Sequence, residues 1–341
     1  MFDFITQNEN AQFYECGYSC DNAWLLKVSQ DCYFITDSRY TLEAKELANK
    51  NTQIIESSNI TQSLIDLINS LAITTLVFDS LQVSLDIFNK LSSQLRTTLE
   101  PKPNFHQNLR IKKNQDEITK IKHSQALNTQ AYEKFADFLR NCKENLNEKQ
   151  LHFQSKIFLQ DFGKYDLSFD PILGINHNAA KPHALPSNTL LKKGDLLLFD
   201  AGIKYERYCS DRTRTTYFHE EINFDKKQNF PDKERQKIYD IVLKAQETTI
   251  KKIRVGMSAK EVDKIARNII EDAGYGKYFT HSTGHGIGLD IHELPFISPR
   301  SEAIIEEGMV FSIEPGIYLP DSFGIRIEDL VVIKDNQAII L

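Results

Sequence analysis

Five residues of this 341-residue chain stand where their charge or chemistry is costly to keep. Asp200 ends the apolar run GDLLLFDAG, Asp211 opens the alternating DRTRTTYF, and Glu314 and Glu328 interrupt the apolar runs MVFSIEPGIYL and FGIRIEDLVVI. A carboxylate in apolar β structure is unfavourable unless something pairs with it. His285 lies in HSTGHGIGLDIHE, residues 281–293, which carries three of the chain's nine histidines. Its glycines suit a loop that aims imidazoles into a cavity, through positive φ or close backbone approach, better than they suit a helix. Taken singly, each residue has an ordinary explanation. Asp200 can be a turn residue, Asp211 can pair with Arg212 or Arg214, Glu314 can end a strand before Pro315, Glu328 can bridge a strand neighbour, and the histidines can be solvated. Taken together, four carboxylates in one core require compensation. Two divalent cations supply it, and four carboxylates with one imidazole suit Mn²⁺, Co²⁺, Zn²⁺ or Fe²⁺ rather than a thiolate-type zinc. Ions paired about 3.5–4 Å apart activate water, so the reaction to expect is hydrolysis.

The elements that must position these residues follow from hydrophobic period. GDLLLFDAG reads as a buried strand and YCSDRTRTTYF as an alternating one, and a hairpin between them sets Asp200 beside Asp211. Alternation over residues 325–330 puts Arg326, Glu328 and Leu330 on one face. MVFSIEPGIYL and FGIRIEDLVVI read as two strand segments. Ile118, Ile121, Ala131, Phe135, Phe138, Leu139 and Cys142 outline a long helix, and Asn147 with Gln150 forms a capping box for the next, with Gly163 at its stop. Residues 233–252 and 258–273 are helical again, the second opened by Ser258 with Glu261 and closed by Gly274. Residues 111–341 thus mix helices with a largely antiparallel sheet, an α+β pattern. Ahead of them, residues 1–110 read as a small α/β unit, with strands in 23–36 and 73–79 and helices in 41–50 and 84–95. The proline-containing segment 101–115 reads as a linker, and the polar segment 219–236 as a surface excursion.

Composition narrows the class. With 41% hydrophobic and 26% charged residues the chain has a soluble globular balance, and it lacks the run of about 18 apolar residues that a membrane span needs. The N-terminus has no basic region and no apolar run of signal-peptide length, so the expected location is the cytoplasm. A net charge of −6 with dispersed Lys and Arg argues against nucleic acid as a partner. The odd set Cys16, Cys20, Cys32, Cys142 and Cys209 makes a poor disulfide framework and reads as free thiols.

With these motifs in hand, residues 111–341 resemble the pita-bread metallopeptidase family of methionine aminopeptidase, aminopeptidase P, prolidase and creatinase. LLLFDAG, SDRTRT, GHGIGLDIHE, SIEPGIY and GIRIED occur in the family's order and spacing. The resemblance implies that Asp200, Asp211, His285, Glu314 and Glu328 hold two divalent ions, Mn²⁺ first among them, with Asp211 and Glu328 shared between the ions. It implies further that Glu314 takes a proton from the attacking water, and that His183, in AKPHALPS, and His292 stabilise the tetrahedral intermediate. His281 is implied to line the substrate pocket and Arg326 to support the site. Arg212 stands where the family has an aliphatic residue, which an outward-facing position tolerates.

GIRIED and the N-terminal segment TDSRYTLEAKE point to the proline-specific branch, whose members carry a creatinase-type N-terminal domain. That domain is implied to dimerise the protein and to form a rim of the active site. The expected activity is that of an Xaa-Pro aminopeptidase, acting on peptides with proline second. A prolidase, confined to Xaa-Pro dipeptides, is the alternative. A catalytically inactive binding protein on the same fold is a third reading, against which the full set of five residues weighs.

Overall fold

Trp24 and Leu26 face one side of the strand AWLLKV and Leu25 the other, and all three are fully buried, so this strand is covered on both faces. A computed structural model describes residues 2–142 and 145–341, and the chain divides into two units, Met1–Leu109 and Arg110–Leu341. The first unit runs β1 (Phe4–Thr6), α1 (Glu9–Cys16), β2 (Ala23–Val28), β3 (Asp31–Thr36), α2 (Thr41–Leu47), β4 (Thr52–Glu56), α3 (Ile60–Ser70), β5 (Thr75–Phe78), α4 (Leu85–Gln94) and β6 (Thr98–Pro101), with α5 (Phe105–Arg110) at its end. Its mixed sheet has the order β4-β3-β2-β1-β5-β6. The segment expected to be a linker is instead structured: β6 ends in it, α5 fills its middle, and Phe105 and His106 are buried against Phe4. Arg110 falls in the second unit, where its guanidinium pairs with Asp290 and Glu293.

The second unit continues with α6 (Gln115–Asn141), α7 (Glu148–Leu159), β7 (Asp166–Leu167), β8 (Ile172–Ile175), β9 (Leu196–Ala201), β10 (Ile203–Tyr205), β11 (Tyr208–Cys209), β12 (Arg212–Tyr217), α8 (Lys233–Lys252) and α9 (Ala259–Asp272). It closes with β13 (Gly284–Gly286), β14 (Glu293–Ile297), β15 (Val310–Ile313), β16 (Gly316–Leu319), β17 (Phe323–Arg326), β18 (Asp329–Lys334) and β19 (Gln337–Ile340). All its strand pairs are antiparallel, in sheets ordered β12-β9-β8, β14-β13-β15-β18-β19, β11-β10-β7 and β16-β17. Capping boxes start α6, α7 and α9, each worth about 1 kcal/mol in helix stability.

The unbroken LLLF of β9 is explained by burial on both faces. Leu197 and Phe199 pack under α6 and α7 with Tyr132, Phe135 and Leu151, whereas Leu196 and Leu198 pack under α8 and α9 with Ile238, Val242 and Ile270. Helix α6 also turns polar atoms inward. Ser124 Oγ donates to Ile203 O at 2.9 Å and Asn128 Nδ2 to Ala201 O at 2.8 Å, satisfying the backbone where β9 bends into β10.

Four other expectations are corrected. Gly163 does not follow α7 directly, since the helix stops at Leu159 and Gly163, at φ 97°, closes a turn four residues later. MVFSIEPGIYL and FGIRIEDLVVI each form two strands rather than one, broken at Glu314-Pro315 and at Ile327-Glu328. Residues 219–236 are not a free excursion: Ile222, Phe224 and Phe230 are buried in the core and Gln228 accepts from Thr216 Oγ1. Arg212 is half-buried rather than freely outward-facing, because its guanidinium lies over the Tyr132 ring and donates to Thr129. Among the described residues, no helix is long and apolar enough to cross a membrane.

Candidate metal centre

The hairpin arms β9 and β12 set Asp200 opposite Thr213, and Asp211 lies just ahead of β12. Asp211 is fixed through its backbone, its N–H donating to Gln125 Oε1 and its carbonyl accepting from Gln125 Nε2 at 3.0 Å. His285 is carried by β13, where Gly284 lets Ser312 come close: a Cβ there would lie 1.9 Å from Ser312 O. Gly286 is equally constrained, with Leu294 O 2.2 Å from where its Cβ would be. Close approach, rather than the positive φ also anticipated, is what these glycines supply. Glu314 follows β15 and its N–H donates to Thr283 O at 2.8 Å; Glu328 precedes β18 and its N–H donates to Thr213 O at 3.1 Å. The two glutamates thus sit where the chain leaves one ladder for another, which frees both side chains to face the same space.

The five side chains line one cavity of about 580 Å³. Ligand-type atoms of Asp211, His285 and Glu328 lie within 4.8 Å of one another. His285 Nε2 lies 3.3 Å from Glu314 Oε1 and 3.6 Å from Asp211 Oδ2. Its Nδ1 lies 3.1 Å from the Gly286 carbonyl, which only accepts, so Nδ1 carries the hydrogen and Nε2 turns a lone pair toward two carboxylates. Burial keeps this imidazole below its ordinary pKa and so disfavours the proton that would relieve the repulsion. Burial, together with the charges of Glu328 and Asp200, pushes the Asp211 carboxyl well above its usual range, and burial with Glu314 and Asp200 does the same to Glu328. Burial, opposed by Arg326 and reinforced by Asp200, lifts Glu314 to about 7. Asp200 Oδ1, Asp211 Oδ1 and Glu328 Oε1 are buried without a hydrogen-bond partner. Three buried, unpaired carboxylate oxygens lining the same cavity as an imidazole lone pair form a donor set that fits divalent cations.

For Asp200, Asp211 and Glu328 the simpler explanations do not hold, whereas Glu314 does end its strand before Pro315 and His292 is exposed. Arg214 pairs with Asp329 at 2.5 Å, not with Asp211. Asp200 lies within a strand, not a turn, and Glu328 takes a hydroxyl, Thr213 Oγ1 at 2.7 Å, rather than a salt bridge.

His183 and His292 are exposed on the cavity wall, and the His292 ring stands edge-on to His285 at 4.4 Å. His281 also lines the cavity, but both its ring nitrogens meet protein atoms: Nδ1 lies 2.7 Å from Ser282 O and Nε2 2.9 Å from Tyr318 Oη. Since Nδ1 donates to that carbonyl, Tyr318 donates to Nε2. Burial, with the Arg326 charge, holds His281 down to about 3, so it stays neutral. Arg326 donates from Nη1 to Tyr318 Oη at 2.8 Å, from Nε to Thr213 Oγ1 at 3.0 Å and from Nη2 to Asp200 Oδ2 at 2.5 Å.

Sequence reasoning missed Thr213 and Tyr318. Thr213 shares the strand face of Asp211 by simple alternation, a usable signal, and its hydroxyl serves both Arg326 and Glu328. Tyr318 has no such signal, because its partners come from distant segments.

Residues 119–335 match metallopeptidase family M24. An uncharacterized peptidase of Bacillus subtilis, YqhT, is 34% identical over 97% of this chain and 90% of its own length. An uncharacterized peptidase of Staphylococcus epidermidis, SERP1271, is 43% identical over 68% of this chain; the match spans only 63% of that relative's length. Among solved structures, an Xaa-Pro dipeptidase from Bacillus anthracis superposes with a TM-score of 0.89 at 29% identity, covering 99% of this chain and 92% of that one. An X-Pro aminopeptidase from Thermotoga maritima gives 0.87 at 32% identity, covering 100% and 95%. The prolidase from Pyrococcus furiosus gives 0.86 at 28% identity, covering 100% and 96%. Motif, site geometry and whole-chain superposition agree, and the chain belongs to metallopeptidase family M24, a pita-bread unit preceded by a smaller N-terminal one.

Proposed function

We propose that the protein is an Xaa-Pro aminopeptidase that releases the N-terminal residue from peptides with proline second. The observation that carries this reading is the convergence of Asp200, Asp211, His285, Glu314 and Glu328 on one cavity whose wall also holds His183 and His292. The solved relatives named for Xaa-Pro substrates support the substrate class. Those named as a dipeptidase and a prolidase favour a second reading, an enzyme confined to Xaa-Pro dipeptides.

Asp200, Asp211, His285, Glu314 and Glu328 would hold two divalent ions. Bound there, the ions supply Lewis-acid polarisation of the scissile carbonyl and a water acidic enough to attack near neutral pH. Glu314 accepts the proton of that water and returns it to the proline nitrogen as the C–N bond breaks. His183 and His292 donate N–H groups to the oxygen that gains charge in the transition state. Phe169, Pro171, Ile172, Ile291 and Phe296 give the cavity an apolar wall, which suits a pyrrolidine ring. His281 and Arg326, implied by the resemblance to be substrate-facing and supporting residues, act through Tyr318 and Asp200 in this reading. Arg326→Met is therefore expected to weaken ion binding through Asp200 by about 10–100-fold, measured by calorimetric titration with Mn²⁺.

The test of function is a paired assay after chelation and readdition of Mn²⁺, Co²⁺ or Zn²⁺. The aminopeptidase cleaves an Xaa-Pro-Xaa tripeptide, whereas the dipeptidase cleaves only Xaa-Pro. Both activities vanish with chelator and return with metal. A fully metallated protein inert on both peptides sinks the Xaa-Pro assignment.

A further inference from the structure

Glu293 follows His292 directly and lies opposite Gly286, the residue after His285, in the register of β13 with β14. It is 0% exposed and surrounded by charge. Lys113 Nζ lies 3.0 Å from its Oε2 and Arg110 Nη2 lies 3.3 Å from its Oε1. The Asp290 N–H donates to the same Oε1 at 3.0 Å, and Arg110 Nη2 also reaches Asp290 Oδ2 at 2.7 Å. Gly288 passes so near that a Cβ there would lie 2.8 Å from Oε2. One carboxylate thus sits at the centre of the loop 287–292, whose two flanks carry His285 and His292. The loop's far side is tied down as well, since the Cys209 N–H donates to Gly288 O at 2.8 Å, two residues before Asp211.

A buried ion pair contributes little net stability compared with a well-packed apolar pair, but its directional bonds fix geometry. Burial works against ionisation of Glu293, and Lys113 with Arg110 outweighs it, so the carboxyl stays below its ordinary range. A charge retained at this cost, between the flanks of a loop bearing two site histidines, is best placed to hold those histidines in register.

We propose that Glu293, clamped by Lys113 and Arg110, is a positioning residue that sets the spacing of His285 and His292. The imidazole of the metal set and the imidazole facing the substrate carbonyl are then one rigid unit. This inference rests on the roles proposed above for those two histidines.

Glu293→Gln is expected to lower kcat on the tripeptide by about 10–100-fold with KM little changed, and to weaken the second Co²⁺ by about as much. Cobalt binding is read by calorimetry and by visible absorption, which reports ligand geometry without turnover. The double variant Lys113→Met/Glu293→Gln removes opposite charges together, so its melting temperature returns toward wild type while kcat and Co²⁺ affinity stay low. Should Glu293→Gln fail to fold, the double variant carries the whole test. Wild-type kcat and Co²⁺ titration in either variant, or recovery of activity together with stability in the double one, overturns the proposal. If the wild-type protein cleaves no Xaa-Pro peptide, the functional reading fails instead, and an unchanged Co²⁺ titration in the Glu293 variants still overturns the positioning role by itself.

Discussion

Stripped of metal, the Glu328→Gln variant is expected to melt higher than the stripped wild type, while losing peptidase activity and most of the stabilisation that added Mn²⁺ confers. Glu328 is 1% exposed, and burial together with the charges of Glu314 and Asp200 raises its carboxyl well above the usual range in the ion-free protein. A carboxyl whose folded pKa is raised above its unfolded value, about 4.3, costs folding stability at neutral pH. Glutamine has the same shape and no charge, and its amide oxygen can keep the 2.7 Å bond from Thr213 Oγ1. Each kcal/mol of that cost recovered raises the melting temperature by about 2–4 °C for a unit of this size. Because the folded pKa is raised, the wild-type carboxyl contributes its full stability only below about pH 4.3 and loses it as pH rises toward the folded value. The advantage of the variant is accordingly absent near pH 4 and largest at neutral pH. Saturating metal works the other way, since each ion at 100 times its Kd adds about 2.7 kcal/mol to the wild type and little to the variant. Thermal melts in chelator and in Mn²⁺ read both effects. A stripped variant that melts below wild type would show that Glu328 serves as a structural anchor, and the charge-compensation account of the cluster would fail.

The hairpin holding Asp200 and Asp211 was legible because its period is local: LLLF is buried on both faces and DRTRT alternates, so neighbours in sequence carry the pattern. The capping boxes at Asn114, Asn147 and Ser258 are similarly short-range, and two of the three could be read directly. What stayed hidden is what depends on distant partners. Glu328 takes its hydroxyl from a residue 115 positions away, and Lys113 reaches Glu293 across 180. The breaks at Glu314 and Glu328 arise because each backbone N–H leaves its ladder for a carbonyl elsewhere, Thr283 O and Thr213 O, which no alternation can announce. In the first unit, β1, β4 and β6 are short and pair mostly in parallel with strands far along the chain, so they lack an alternating run of their own. Residues 219–236 misled for the opposite reason. Their sequence is largely polar, yet three spaced apolar side chains and Lys226, 2.7 Å from Asp329, are enough to bind them to the body.

Glu314→Gln carries the other large expected effect, a fall of about 10²–10⁴-fold in kcat, the range for losing a positioned general base. Glu314 Oε1 accepts from Ser312 Oγ at 3.1 Å and lies 3.3 Å from His285 Nε2, so its carboxylate is aimed at the space the five residues share. In the function proposed above Glu314 is both a member of the metal set and the base, so substitution removes two roles at once, and the two can be told apart. If Glu314 were a ligand alone, raising Mn²⁺ to saturation would restore two bound ions and most of the rate. With the base role, the Gln variant at saturating Mn²⁺ binds both ions by calorimetry and still turns over at least about a hundredfold more slowly. Glu314→Asp sharpens the comparison, since it keeps the charge but retracts it by one methylene from both His285 and the attacking water. It is expected to bind metal better than the Gln variant and to recover only part of the rate, because proton transfer depends on hydrogen-bond reach. Full recovery of kcat by metal alone in Glu314→Gln would remove Glu314 from the proton-transfer step, and the proton would then have to leave through His183 or His292, the two exposed imidazoles on the same wall.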